Sequence, residues 1–194
     1  MSAKDYFLLL SGKKSFWHLV SNSIKKKYAP LLGSSPAHAP ASATAKAFPD
    51  EWTNYFKFCI VRNPWDKTLS DYYWKIKHMK NPPTFDAFIE ALSSDDNSLN
   101  GIIPANHSNW LMYTIDDQVA VDYIVRYEEL ERGLIEALAH TSLKWDGWIP
   151  HMKKGVLKQS TSIARDYRNF YTDDTAQIVY DLYENEINQF DYKF

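Results

Sequence analysis

The sequence predicts an α/β fold in which a central parallel sheet is flanked by helices. Three features carry that expectation: the apolar run FKFCIVR at residues 56–62, a second run, VDYIVRY, at 121–127, and the amphipathic segment that follows each. Continuous runs of aromatic and β-branched residues suit parallel strands buried on both faces, and strand–helix alternation marks parallel connections. With 194 residues, the chain has the size of a single domain, residues 1–194.

Taken in order, Tyr6 to Leu10 reads as a first strand, SGKKS as the loop after it, and FWHLVSNSIKKKY as a helix. Ala29 to Ala45 contains three prolines and no apolar period, and reads as an irregular crossing segment. FKFCIVR should be a central strand. After it Asn63 can cap a helix, Pro64 supplies the fixed φ of the first helical position, and Asp66 can bond back to the cap. On that helix Leu69, Tyr72, Tyr73 and Ile76 form the core stripe, while Asn63, Asp66, Lys67 and Ser70 share a polar face. TFDAFIEAL is a second helix, and residues 93–108 are mostly polar loop. The 121–127 strand leads into a helix with Leu130, Leu134, Ala137 and Leu138 on one face. Thr141 to Ile163 is a long loop. Thr172 then caps a C-terminal helix with Ala176, Val179, Tyr183, Ile187 and Phe190 as its buried stripe.

Lys and Arg number 22 against 24 Asp and Glu, a net charge of -2, so no global positive field draws nucleic acid and an anion site must be local. The single cysteine, Cys59, excludes an internal disulfide and a cysteine-based zinc cluster, and fits a reducing compartment. No HxxxH or HxH pair occurs, and no metal is expected. YFLLL is too short to span a membrane and has neither a basic flank nor a cleavage signal, so the chain is expected to be cytoplasmic, without a transmembrane segment. Its aromatic residues, 15% of the chain, serve either as core and rim fillers or as stacking surfaces.

The chemistry concentrates after FKFCIVR. Arg62 ends the strand, the helix begins at Asn63, and Ser70 lies two turns in. A guanidinium binds phosphate bidentately, a hydroxyl adds a donor, and a helix N-terminus adds its positive end. The other reading of the same residues pairs Arg62 with a carboxylate and leaves Ser70 merely exposed.

FKFCIVRNPWDKTLSDYYW closely resembles the strand and helix that hold the 3′-phosphate in sulfotransferases using 3′-phosphoadenosine-5′-phosphosulfate (PAPS), a pattern of the type FxFVRNPxDRxxSxYxx. The eight-residue step from Arg62 to Ser70 matches the family's spacing. VDYIVRYEELERGL is similar to the family's strand and acidic helix, and YRNFYTDDTAQIVYDLYENEINQFDYKF to its C-terminal segment. The resemblance covers most of residues 38–194 and is closest to the carbohydrate, heparan-sulfate 2-O type. It implies a P-loop-like sulfotransferase fold, PAPS as sulfuryl donor, an acceptor hydroxyl on a glycan or small molecule, and Arg62 and Ser70 on the 3′-phosphate.

Where family members carry a PKTxGTS-type loop for the 5′-phosphosulfate, this chain has SGKKS, and GxxxxGK[ST] is absent. Gly12 can permit close backbone approach, Lys13 or Lys14 can neutralise the sulfonate's surroundings, and Ser15 can donate at the helix start. The alternative is a solvated basic turn on a non-catalytic relative that binds a nucleotide or a glycan. His38 matches the place of a histidine that related enzymes use as base. His107 and His151 fall on loops that in the family border acceptor or cofactor; His18 and His78 are weaker candidates. Tyr127 can pack against the adenine, as a ring does in relatives, or close the core. Lys153 and Lys154 can close over the 3′-phosphate or be solvated, and Trp110, Trp145 and Trp148 can floor a sugar site or cover the core.

Overall fold

The computed structural model describes residues 26–32, 38–94, 108–143, 146–147 and 166–194. The expected strand Tyr6–Leu10, Gly12, Lys13, Lys14 and Ser15 of the SGKKS loop, His18, His107, His151, Lys153, Lys154, Trp145 and Trp148 lie outside the described residues. Residues 26–32 are helical. After them come α1 (Ala41–Ala47), α2 (Pro49–Asn54), β1 (Phe58–Val61), α3 (Pro64–Ile76), α4 (Phe85–Ser93) and α5 (Trp110–Tyr113). The order continues with β2 (Thr114–Ile115), β3 (Gln118–Val119), β4 (Tyr123–Arg126), α6 (Leu130–Ala139), α7 (Asp173–Leu182) and α8 (Glu184–Phe190), with 3₁₀ turns at Tyr127–Glu129 and Tyr167–Phe170. The chain divides into two compact units, Met1–Lys57 with Leu111–Val121, and Phe58–Trp110 with Asp122–Phe194.

In the first unit the segment read as irregular is partly helical, since ASATAKA forms α1. Four alanines supply the highest helix propensity, which outweighs the missing apolar period. Thr44 donates its hydroxyl back to the Pro40 carbonyl at 3.2 Å. Pro49 opens α2 at its first position. Sequence reasoning missed the antiparallel hairpin β2–β3, in which Thr114 pairs with Val119. Its turn residues Asp116 and Asp117 have φ of 51° and 57°, the left-handed pair of a type I′ connection, here made by two aspartates where Asn-Gly is commoner.

The second unit holds the parallel pair that the sequence predicts. β1 lies beside β4 with Phe58 opposite Tyr123 and Val61 opposite Arg126. Phe58 and Ile60 are exposed, so β1 is not buried on both faces as expected. Val125 of β4 is fully buried, and α6 reaches it through Gly133, where an added Cβ would meet Val125 Cγ1 at 2.7 Å. Gly133 and Ala137 are the buried positions of α6, whereas Leu130, Leu134 and Leu138 of the expected stripe are half-buried. Small residues let the helix axis approach the strand, and the leucines fill the flanks.

The core of this unit gathers α3, α4 and α7 around Leu69, Tyr72, Phe88, Ile89 and Val179. Trp65 and Thr68 are buried with Leu69 and Tyr72, while Tyr73 and Ile76 are half-buried, so the inner stripe of α3 is turned from the expected one. Thr84 caps α4, accepting from Ala87 N–H at 3.2 Å. Thr172 caps α7 in a capping box with Thr175. The single C-terminal helix of the sequence reading is two helices, because Tyr183 (φ -124°, ψ 24°) leaves helical geometry between Leu182 and Glu184. The apolar period survives the break, since Val179, Tyr183, Ile187 and Phe190 are all buried.

Candidate functional site

Asn63 organises the end of β1. Its Oδ1 accepts from the N–H groups of Trp65 (3.0 Å) and Asp66 (3.4 Å), the cap expected from sequence. Its Nδ2 donates to the Tyr167 hydroxyl and to the carbonyl of Lys193, each at 3.1 Å. Its own N–H donates to Glu128 Oε1 at 2.7 Å, so Asp66 does not bond back to the cap as expected. Pro64 has no N–H, and that of Lys67 goes to the Asn63 carbonyl at 2.9 Å. The first turn of α3 therefore has its donors satisfied by protein, and the backbone contribution to an anion site expected at this helix start is already used.

What remains is the side chain of Arg62. Its Nε donates to Asp66 Oδ2 at 2.7 Å, and its guanidinium carbon lies 4.4 Å from the centroid of the Tyr127 ring. The pairing with a carboxylate that sequence reading held as an alternative is thus real, but it occupies only one edge. Among the described residues no hydrogen bond is made by the two Nη nitrogens, the edge that can take two oxygens of one phosphate. Asp66 and Tyr127 hold the group in place, which lowers the entropy lost on binding. Tyr127 is 46% exposed, so it does not close the core; its ring backs Arg62 and keeps surface open to solvent.

Ser70 is half-buried on α3. Lys67, expected on the same polar face, donates instead to Asp71 Oδ2 at 3.0 Å and to the Tyr183 hydroxyl at 3.4 Å. Burial pulls its pKa down, but Tyr183 and Asp71 outweigh that and the net shift is upward. Its charge is engaged inside the unit and is not offered to a ligand. His38 belongs to the first unit, exposed just ahead of α1. Trp110 is buried, so it fills core and does not floor a sugar site. Burial pushes the Cys59 thiol up to about 12, which leaves it a poor nucleophile. Among the described residues no group of three or more His, Cys, Asp or Glu is placed to hold a metal ion, and no helix is long and apolar enough to cross a membrane.

Sequence reasoning missed Glu128, Asp66 as the partner of Arg62, and Tyr192, whose hydroxyl meets Glu128 Oε2 at 3.4 Å. A signal for Glu128 was present: it sits two residues after the second apolar strand, at the carboxyl edge where parallel sheets gather functional groups.

A parallel strand pair with an anchored arginine at its carboxyl end defines an α/β protein. The family model described as Sulfotransferase family matches residues 1–193, and the chain belongs to that family. No curated protein and no solved structure matches it.

Proposed function

We propose that the protein transfers a sulfuryl group from PAPS to an acceptor hydroxyl on a carbohydrate, in the manner of heparan-sulfate 2-O sulfotransferases. The observation that carries this reading is the fixed guanidinium of Arg62, bonded through Nε and, among the described residues, leaving both Nη nitrogens for the 3′-phosphate. Ser70 adds a hydroxyl donor, and the exposed surface of Tyr127 borders the nucleotide. Gly12, Lys13, Lys14 and Ser15 take the 5′-phosphosulfate end, where a lysine offsets charge growing on the departing phosphate. The bond between sulfur and the 5′-phosphate oxygen breaks as a bond to the acceptor oxygen forms, and His38 accepts the acceptor's proton. The reading includes a cytoplasmic protein and one functional domain over residues 1–194.

Calorimetric titration with adenosine 3′,5′-bisphosphate tests the anchor. Arg62→Ala removes a bidentate charged contact worth about 1.5–3 kcal/mol and should weaken binding roughly ten- to hundred-fold. Unchanged affinity in the folded variant rejects the assignment. Wild-type protein that binds the bisphosphate yet transfers no sulfate to a panel of glycan acceptors is instead a non-catalytic nucleotide- or glycan-binding relative, the outcome to which the SGKKS loop exposes the proposal.

A further inference from the structure

At the far end of α3 from Arg62, three lysines (Lys75, Lys77, Lys80) and His78 fall between Asp71 and Asp86 with no acidic residue among them. Lys77, His78, Met79 and Lys80 are consecutive and exposed. Two large apolar side chains accompany them, Trp74 with 39% and Met79 with 38% of its surface in solvent. Lys77 Nζ sits 3.1 Å from the centroid of the Trp74 ring, so cation and indole share one face. The helix closes here by a tight turn, with Met79 N–H donating to the Ile76 carbonyl at 2.8 Å, and Pro82 and Pro83 stop its continuation. In a chain of net charge -2 this is a local inversion of sign.

We propose that this helix end docks the protein onto an anionic phospholipid surface. Charge complementarity selects the partner's sign, and the exposed indole and thioether select a bilayer over a soluble polyanion. Trp is favoured at the headgroup level, and a basic residue beside an anionic leaflet raises partitioning about fivefold. The proposal does not depend on sulfuryl transfer.

The test is co-sedimentation of the full chain with vesicles of phosphatidylcholine alone and of phosphatidylcholine with phosphatidylserine. Binding should require phosphatidylserine and weaken as salt rises. Lys77→Glu with Lys80→Glu should lower partitioning by about 25-fold or more, and Trp74→Ser should lower it with the salt dependence kept. Circular dichroism and bisphosphate titration verify that each variant is folded, and the milder Lys77→Ala with Lys80→Ala serves if charge reversal disturbs the fold. Absence of phosphatidylserine-dependent binding overturns the proposal. So does retention on immobilised heparin, lost in Lys77→Glu with Lys80→Glu, without vesicle binding, which would assign the patch to a soluble polyanion.

Discussion

The guanidinium of Arg62 lies 4.4 Å from the ring centroid of Tyr127, joining the residue that follows β1 to the residue that follows β4. A cation over an exposed ring is worth about 0.5–1 kcal/mol. Tyr127→Ala should therefore weaken bisphosphate binding about two- to fivefold, while Tyr127→Phe keeps the ring and the affinity. Equal loss in both variants would move the effect from the ring to the hydroxyl.

Asp66 both orients Arg62 and places a negative charge beside the proposed anion site. Asn keeps an acceptor for Nε and removes the charge. A repulsion of about 1 kcal/mol between Asp66 and a bound phosphate is expected one guanidinium away. Asp66→Asn should then tighten bisphosphate binding about fivefold, read by titration at low salt. Weaker binding would show that the orienting bond needs the full charge.

Gly133→Ala sets two effects against each other. Helix propensity favours alanine by about 1 kcal/mol, but the new Cβ meets Val125 Cγ1 at 2.7 Å inside the core, and overpacking costs about 1–3 kcal/mol. The clash should win, and urea denaturation should show net loss. In a Val125→Ala background, where the opposing methyl groups are gone, the same substitution should stabilise.

Glu186 is buried, accepting from Ser108 Oγ at 2.6 Å. Burial raises its pKa, and Ser108 and the charge of Lys67 offset only part of that. Below its ordinary value of 4.5 both folded and unfolded chains hold the proton. As pH rises from there through the folded value the unfolded chain ionises first, so stability falls across that window. Glu186→Gln should remove the fall and raise stability at neutral pH, measured as melting temperature against pH. A wild-type profile rising through that window would reverse the sign.

Local signals were read well where chemistry is local. Asn63-Pro64 and Thr172 mark helix starts because a cap needs only its next three residues. The two strands were legible because β-branched and aromatic runs have few other uses. The hairpin at Asp116-Asp117 escaped because two-residue strands carry no pattern, and the break at Tyr183 because the apolar period continues through it. Of the site, Arg62 and its helix could be read; Glu128 carried a signal in its place after the strand, but its partner could not be read, because the N–H of Asn63 lies 65 residues away in sequence.

The bond from Asn63 Nδ2 to the Lys193 carbonyl spans 130 residues, and that from Tyr192 to Glu128 spans 64. Contacts so distant in sequence form late, after a large loop has closed. On a ribosome, β1 and α3 would emerge long before residue 193 is made, so the Asn63 junction beside Arg62 would stay incomplete until that residue has emerged. A nascent chain would therefore hold the sheet and α3 in place before the support around Arg62 is complete, so the order of synthesis separates the making of the strand from the fixing of its end.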